Sequence, residues 1–162
     1  MKLPLESAAF RTVVGHFASG VTVMTTRAAG RMHGMTVSAF ASVSLQPLLV
    51  LVSVERSTVM HRLLDESRSF AVNILDERSE ATARFFADNA RLQAEEFRAG
   101  SYRTGTTGAP ILTEAIACLE ARVHSMLTAG DHTVVVGEVV GLEILNDGEP
   151  LIYFRGGYRR LD

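Results

Sequence analysis

The chain of 162 residues lacks the features that mark secreted, membrane-spanning or nucleic-acid-binding proteins. Its one cysteine, Cys118, excludes an internal disulfide and a zinc site built from cysteines. The longest apolar run, LLVLVSV at 48–54, has the length of a strand and is far shorter than the ~20 residues that span a bilayer. The net charge is −2 and no basic run exceeds two residues, which argues against a nucleic-acid-binding surface.

What the composition does contain is typical of a soluble globular protein. Hydrophobic residues make up 47% of the chain and charged residues 21%. This length predicts one compact domain over 1–162 with a substantial hydrophobic core. The N-terminal stretch MKLPLESAAFRTV has no continuous apolar region of the kind found in signal peptides. Together with the single cysteine, these features predict a cytoplasmic protein that binds neither membranes nor metal ions.

The hydrophobic pattern predicts a mainly β fold with flanking helices. Strands are expected over 21–27, 32–45, 48–54, 69–75, 115–127 and 132–145, with a hairpin turn at 28–31 and burial of 48–54 on both faces. A first helix is expected from the stripe Phe10, Val13, Val14 and Phe17, ended by Gly20. Further helices are expected from a Ser57 or Thr58 cap to about Asp65, and from an Asp76 cap through Phe85 and Phe86.

The two long C-terminal strands indicate how the sheet is covered. Over 115–127, one face carries Leu119, Ala121, Val123 and Leu127, and the other carries Glu120, Arg122 and His124. That alternation predicts one solvated face. The strand that follows is apolar on nearly both faces, so its outer side needs a cover. We expect a closed or nearly closed antiparallel barrel in which a second copy of the chain supplies that cover.

Two stretches have polar groups that suit a ligand. In HGMTVSAFASVSLQP (33–47), the hydroxyls of Thr36, Ser38, Ser42 and Ser44 share one face of a strand, and small neighbours leave its backbone open to a flat heteroaromatic ring. Composition alone favours a solvated strand face instead. In SVERSTVMH (53–61), Arg56 and two hydroxyls sit at a helix N-terminus, which suits a phosphate. A capped helix with an exposed arginine explains that stretch equally well.

A third stretch, GDHTVVV, opens a valine-rich strand. Gly130 and Asp131 fit a turn, while His132 is either structural or placed to contact a substrate. His16, His61 and His124 are interpreted as structural. The chain has no G-x-S-x-G, Walker A or G-x-G-x-x-G motif and no evident acid–base dyad.

Seven stretches along nearly the whole chain resemble one known family. They are FRTVVGHFASGVTVMTT, HGMTVSAFASVSLQP, FAVNIL, RFFA, GAPILTEAIACLEARV, GDHTVVVGEV and PLIYFRGGY. In this order they resemble the short-chain flavin reductases, which often serve as reductase components of two-component flavin monooxygenases. The resemblance implies a flavin-binding split β-barrel that is antiparallel and homodimeric, with FMN or FAD bound near the subunit interface.

The resemblance also implies which residues form the site. The segment 36–39, here called the hydroxyl segment, would lie along the isoalloxazine, although many members have T-A-N-S there; it comprises Thr36, Val37, Ser38 and Ala39. The segment 53–58, called the anion segment, would reach the ribityl phosphate; it comprises Ser53, Val54, Glu55, Arg56, Ser57 and Thr58. Phe86 matches a position near the flavin phosphate or adenylate. Gly130, Asp131 and His132 match a G-D-H motif associated with nicotinamide nucleotides, and Tyr158 matches an aromatic residue near that site.

The implied reaction is the reduction of FMN or FAD by NADH or NADPH. A hydride passes between two stacked rings, so the protein need only hold them together and no acid–base dyad is required. His132 is the candidate catalytic residue, expected to position the nicotinamide. Reduced flavin would then diffuse to a partner monooxygenase. Two other readings stay open at this point: a non-enzymic flavin-binding or electron-carrier protein, and a ligand-free barrel that acts as an interaction module.

Overall fold

The structure is a computed structural model that describes residues 1–90, 97–98 and 100–161. Its helices are α1 (Ser7–Val14), α2 (Val59–Ser67) and α3 (Glu80–Ala87). Its strands are β1 (Ser19–Gly20), β2 (Thr22–Ala28), β3 (Arg31–Val37), β4 (Phe40–Leu45), β5 (Leu48–Glu55), β6 (Ser69–Leu75), β7 (Tyr102–Thr104), β8 (Pro110–Leu112), β9 (Ala115–Ala129), β10 (His132–Ile144), β11 (Ile152–Phe154) and β12 (Gly157–Arg159). Among the described residues, the helices are too short or too polar to cross a bilayer.

Antiparallel pairing organises the described strands into one large sheet and two small ones. The large sheet has the order β3-β2-β6-β9-β10-β5-β4, while β1, β11 and β12 form a second sheet and β7 pairs with β8. This confirms the prediction of a mainly β, antiparallel fold with flanking helices. The hairpin of β2 and β3 is also confirmed, since Ala29 and Gly30 have φ angles of 49° and 78° and form a two-residue turn.

The predicted strand over 32–45 is two strands, which is a correction. β3 ends at Val37 and β4 begins at Phe40 because the Phe40 amide donates to the Ser38 carbonyl (3.0 Å) and turns the chain. β3 and β4 then lie at opposite edges of the large sheet. Thr36 therefore does not share a strand face with Ser42 and Ser44, which lie in β4 on either side of a bulge.

The first helix forms but differs from the prediction in extent and burial. The Gly15 amide donates to the Arg11 carbonyl (2.9 Å) and α1 ends there, so Phe17 lies beyond the helix. No residue of α1 is buried, and Phe17 is 81% exposed. The apolar stripe therefore faces outward in the single chain.

The predicted N-cap is right for α2 and wrong for α3. Thr58 caps α2 because its Oγ1 accepts from the His61 amide (3.2 Å), and Met60 and Leu64 bury the inner face of this helix. The predicted Asp76 cap of α3 is wrong, since Ser79 occupies the N-cap position. Asp76 instead accepts hydrogen bonds from the Arg78 guanidinium and amide, which lower its pKa to about 2.

β5 is buried mainly on one face rather than on both. Val50, Val52 and Val54 lie in the principal core, which includes Met60 and Leu64 of α2, while Leu49 and Leu51 on the opposite face are half-buried. The strand period of two separates these faces. The core residues of β5 therefore fix the strand against α2 and determine which way its last residues point.

The predicted solvated face of β9 is wrong at Glu120. Arg122 and His124 are exposed, but Glu120 is only 6% exposed because the loop from β7 to β8 folds over it. Its carboxylate accepts hydrogen bonds from the Thr107 amide (2.7 Å), the Thr107 hydroxyl (2.7 Å) and the Thr106 amide (3.0 Å). Burial raises the pKa of Glu120, but these hydrogen bonds outweigh it and the net shift is downward.

We expect the Glu120 hydrogen bonds to stabilise the fold in a pH-dependent way. At neutral pH, Glu120→Gln should lower the free energy of unfolding by about 1–3 kcal/mol, because hydrogen bonds to the charged group are lost. As pH falls below the ordinary carboxyl value of 4.5, Glu120 of the unfolded chain takes up a proton first. The difference in free energy of unfolding between wild type and variant should then shrink as the pH approaches the lower pKa of Glu120 in the folded state.

Urea unfolding between pH 7 and pH 3 measures this difference. Glu138→Gln, at an exposed position of β10, is the matched control and should change the free energy of unfolding by less than about 0.5 kcal/mol. If Glu120→Gln lowers the free energy of unfolding by the same amount over this whole pH range, the role assigned to the carboxylate is contradicted.

Candidate functional site

The pairing of β5 with β10 brings together two segments that lie far apart in the sequence. His132 faces Glu55 across the ladder and Thr133 faces Val54. The Arg56 amide then donates to the Asp131 carbonyl (3.0 Å), which extends the contact past the end of the ladder. The anion segment and residues 130–132 therefore form one continuous edge.

The hydroxyl segment joins the same edge through the backbone. The Ser53 amide donates to the Ala39 carbonyl (3.1 Å), so the hydroxyl segment lies beside the start of the anion segment. The Thr36 hydroxyl donates to the Ala83 carbonyl of α3 (2.6 Å), and Val37 is buried in the core. Ser38 and Ala39 are exposed. The Ser38 hydroxyl is thus open to a ligand, whereas that of Thr36 anchors β3 to α3.

The anion segment ends in a tight turn that leads into α2. The Thr58 hydroxyl and amide donate to the Glu55 carbonyl (2.7 and 3.2 Å), and the Ser57 hydroxyl donates to Glu55 Oε1 (2.8 Å). Arg56 is exposed at the tip. An anion at this turn would meet the Arg56 guanidinium and the positive end of α2, and would compete with Glu55 for the Ser57 hydroxyl.

A small cleft of about 220 Å³ opens beside this turn. Its walls include His33, Met35, Glu55, Ser57 and Thr58. Binding sites for whole small molecules usually measure about 300–1,000 Å³, so this cleft suits one group of a larger ligand.

The Gly-Asp-His stretch forms the turn between β9 and β10. Gly130 takes a φ of 63°, which glycine adopts without strain. His132 Nδ1 lies 2.7 Å from Asp131 Oδ1, and because a carboxylate only accepts, Nδ1 carries the proton. This hydrogen bond and the imidazole charge lower the pKa of Asp131. The contact orients the imidazole and leaves Nε2 to face another group.

Asp131 and His132 also lie at the end of a larger cleft. It measures about 890 Å³ and is formed mainly by the N-terminal residues and α1, including Phe10 and Arg11. Its volume is in the range of small-molecule sites. His132 is half-buried at its wall, within reach of a ligand in this space.

Phe86 and Tyr158 lie in the second core cluster, on the α3 side of the molecule. Phe86 packs on β3 at Gly34, where a Cβ would stand 2.6 Å from the phenyl Cε1, so only glycine allows this contact. Tyr158 packs edge-on against Tyr153 (5.5 Å between centroids), and the Arg84 guanidinium lies 4.9 Å from its ring centre. Phe86 is therefore close to the hydroxyl segment, whereas Tyr158 contacts α3 and β11.

The structure adds two histidines that the sequence analysis did not assign to the site. His33 lines the small cleft, and His61 Nε2 lies 2.9 Å from Thr133 Oγ1, next to His132 in the chain. No spacing in the sequence indicates these contacts, because they arise from how α2 packs against β3 and β10. Within the described ranges, no group of three or more His, Cys, Asp or Glu side chains is arranged to hold a metal ion.

Comparison with known proteins identifies the family. The model of the flavin reductase-like domain matches residues 14–162. The chain is 37% identical over 159 residues to an NADH-dependent FAD reductase of Streptomyces globisporus, covering 97% of this chain and 87% of the relative. It is also 37% identical over 155 residues to the reductase component of 4-hydroxyphenylacetate 3-monooxygenase of Thermus thermophilus, covering 94% and 95% of the two chains.

A solved structure agrees with this assignment. The NADH:FAD oxidoreductase SgcE6 of Streptomyces globisporus C-1027, in complex with NAD and FAD fragments, superposes with a TM-score of 0.92 at 36% identity, over 100% of this chain and 96% of that one. The chain belongs to the flavin reductase-like domain family.

Proposed function

We propose that this protein is an NAD(P)H:flavin oxidoreductase that transfers a hydride from NADH or NADPH to FMN or FAD. The observation that carries the proposal is the convergence of three segments at one edge of the sheet. The Ser53–Ala39 and Arg56–Asp131 backbone hydrogen bonds join the hydroxyl segment, the anion segment and residues 130–132. A flavin site and a nicotinamide site must adjoin in this way, because hydride transfer requires the two rings in contact.

The flavin fits along the first two segments. The Ser38 hydroxyl and the exposed backbone at Ala39 are open to the polar edge of an isoalloxazine. Arg56 and the N-terminus of α2 offer a positive guanidinium and a favourable helix dipole to its phosphate. The Ser57 hydroxyl can exchange Glu55 for the phosphate, while the Thr58 hydroxyl stays with the Glu55 carbonyl and holds the turn in place. Phe86 closes the phosphate or adenylate side through its contact with β3. When bound, the flavin supplies the hydride acceptor.

His132 positions the nicotinamide in this proposal. Asp131 holds its imidazole by the 2.7 Å hydrogen bond at Nδ1, so that Nε2 is presented to the nicotinamide carboxamide. Tyr158 contacts Tyr153 and Arg84 on the α3 side, so it is not part of the edge that carries His132. The two cofactors exchange the hydride directly, and the chain contributes binding and orientation. Reduced flavin then leaves for a monooxygenase, as the name of the Thermus thermophilus relative suggests.

The apolar surface supports a homodimeric split barrel built from one domain over 1–162. Phe10 and Val13 of α1 and Leu142 and Ile144 of β10 are all exposed in the single chain. Exposed apolar side chains of this size favour a covering partner, and a second copy of the chain is the cover we propose both for α1, beside the start of β10, and for the C-terminal half of β10. α1 also lines the cleft next to His132, so the dimer interface would adjoin the site. We place this dimer in the cytoplasm.

The direct test is anaerobic turnover with purified protein. Mixed with each pairing of NADH or NADPH and FMN or FAD, the protein should oxidise the nicotinamide and reduce the flavin in equal amounts, seen as bleaching of both absorbance bands. Heat-denatured protein is the control. Tight flavin binding without nicotinamide oxidation in any of the four pairings would identify a flavin carrier and contradict the proposal.

His132→Ala should weaken nicotinamide binding more than flavin binding. Loss of one hydrogen bond of about 1 kcal/mol predicts a KM for the nicotinamide nucleotide raised about five-fold, with the flavin Kd nearly unchanged. Steady-state kinetics and fluorescence titration measure the two constants. His124→Ala, at an exposed position of β9, is the matched control. Unchanged kinetics with both substrates would remove His132 from the site.

Size-exclusion chromatography with light scattering should give twice the chain mass of 17.6 kDa at micromolar concentration. Leu142→Asp combined with Ile144→Asp should shift the protein toward the monomer, because two charges would be buried at the interface. Arg62→Asp, at an exposed position of α2, should leave the mass unchanged. A monomeric wild type would contradict the dimer.

A further inference from the structure

His61 connects the anion segment with the strand that carries His132. It lies in the first turn of α2, where its backbone amide donates to Thr58 Oγ1 (3.2 Å). Its side chain crosses to β10, where Nε2 lies 2.9 Å from Thr133 Oγ1. One residue therefore contacts both the end of the anion segment and the neighbour of His132.

The contact is largely shielded from water. Thr133 is 3% exposed and the His61 side chain 18%. Leaving a hydroxyl this buried without its partner would destabilise the folded state. The hydrogen bond therefore constrains the local geometry. Asp65 Oδ2 lies 3.9 Å from His61 Nδ1, and its charge favours the tautomer with the proton on Nδ1. In that tautomer the Thr133 hydroxyl donates to Nε2.

The strand geometry carries this constraint to His132. Consecutive residues of a strand point to opposite faces, so Thr133 faces α2 while His132 faces the other way. Asp131 is held on one side of His132 by the Arg56 amide, and Thr133 is held on the other by His61. The first residue of β10 is thus fixed at both neighbours by groups that belong to α2 and its N-terminal turn.

We infer that His61 is a positioning residue for the nicotinamide site, acting on His132 through Thr133. The inference rests on the proposed function, because it assigns His61 to the site in which His132 receives the nicotinamide. His61 does not touch either substrate. Its removal should misplace His132 and leave the anion segment intact, because the His61 amide that bonds Thr58 belongs to the backbone and survives substitution.

The test compares His61→Ala, Thr133→Val and the double variant. Each single variant should raise the KM for NADH about five-fold, the factor that corresponds to one hydrogen bond of about 1 kcal/mol. The kcat and the flavin Kd should stay within about two-fold of wild type. The double variant should be no worse than either single one, since both remove the same bond.

Two further variants separate positioning from general structure. His61→Gln, whose amide oxygen can occupy much the same place as Nε2 and accept from the Thr133 hydroxyl, should bring the KM back to within about two-fold of wild type. Glu66→Ala, at an exposed position of α2, is the matched control and should change neither constant. Calorimetric titration of the flavin-loaded proteins with NAD+ should reproduce the order of the KM values without any turnover.

The inference is overturned if His61→Ala leaves the KM and the NAD+ Kd unchanged. It is also overturned if the two single effects multiply in the double variant, or if the flavin Kd rises as much as the KM. The wild type in the same assay tests the proposed function separately. If the wild type oxidises neither NADH nor NADPH with either flavin, the proposed function fails, whereas an active wild type with unaltered variants refutes the role of His61 alone.

Discussion

The antiparallel pairing of β10 with β5 is the interaction on which the candidate site depends. The ladder runs from His132 opposite Glu55 to Glu138 opposite Leu49. Side chains alternate along a strand, so a slip of one residue would exchange the faces of His132 and Thr133. The proposed nicotinamide site would then lose its imidazole, and Thr133 would lose the contact with α2. The burial of Val52, Val54 and Val135 in one core makes such a slip costly.

The site's other contacts extend this register. α2 packs Met60 and Leu64 into the same core that holds β5. This packing fixes the position of the N-terminal turn of α2 relative to the end of β5. Within this turn, the Arg56 amide donates to the Asp131 carbonyl, and α2 itself places His61 against Thr133. The hydrophobic core thus determines polar geometry at the edge of the sheet, because it anchors β5 and α2, whose ends carry the polar groups.

The charges around the site are arranged to bind rather than to react. The carboxylate of Glu55 holds the Ser57 hydroxyl, and that of Asp131 orients the His132 imidazole. Among the described residues, the hydrogen bonds of these two carboxylates come from a hydroxyl and an imidazole. The buried carboxylate of Glu120 serves the loop from β7 to β8 and keeps a lowered pKa through hydrogen bonds from that loop. Such a distribution suits a reaction in which cofactors exchange a hydride and the protein supplies orientation.

The sequence by itself determined several of the long strands, the start of α2 and the order of the three segments, because these depend on local patterns. An alternating β-branched pattern predicted β2, and apolar runs predicted β6 and β10. Ser57 or Thr58 marked the start of α2, and the Gly-Asp-His stretch marked the turn before β10. The resemblance of seven stretches was enough to indicate the family. Patterns of this kind depend on neighbours within a few residues, which is why they can be read without a structure.

Only the tertiary structure decided the contacts between distant parts of the chain. The alternation of residues along β9 predicted Glu120 on the solvated face, but the loop from β7 to β8 buries it. The hydroxyl pattern over 36–44 looked like one strand, but the chain turns at Ser38 because β4 pairs with β5 instead of continuing β3. His61 was interpreted as structural, like His16 and His124, yet the packing of α2 places it against Thr133. In each case a contact between distant parts of the chain decided the arrangement, which the local sequence pattern alone could not do.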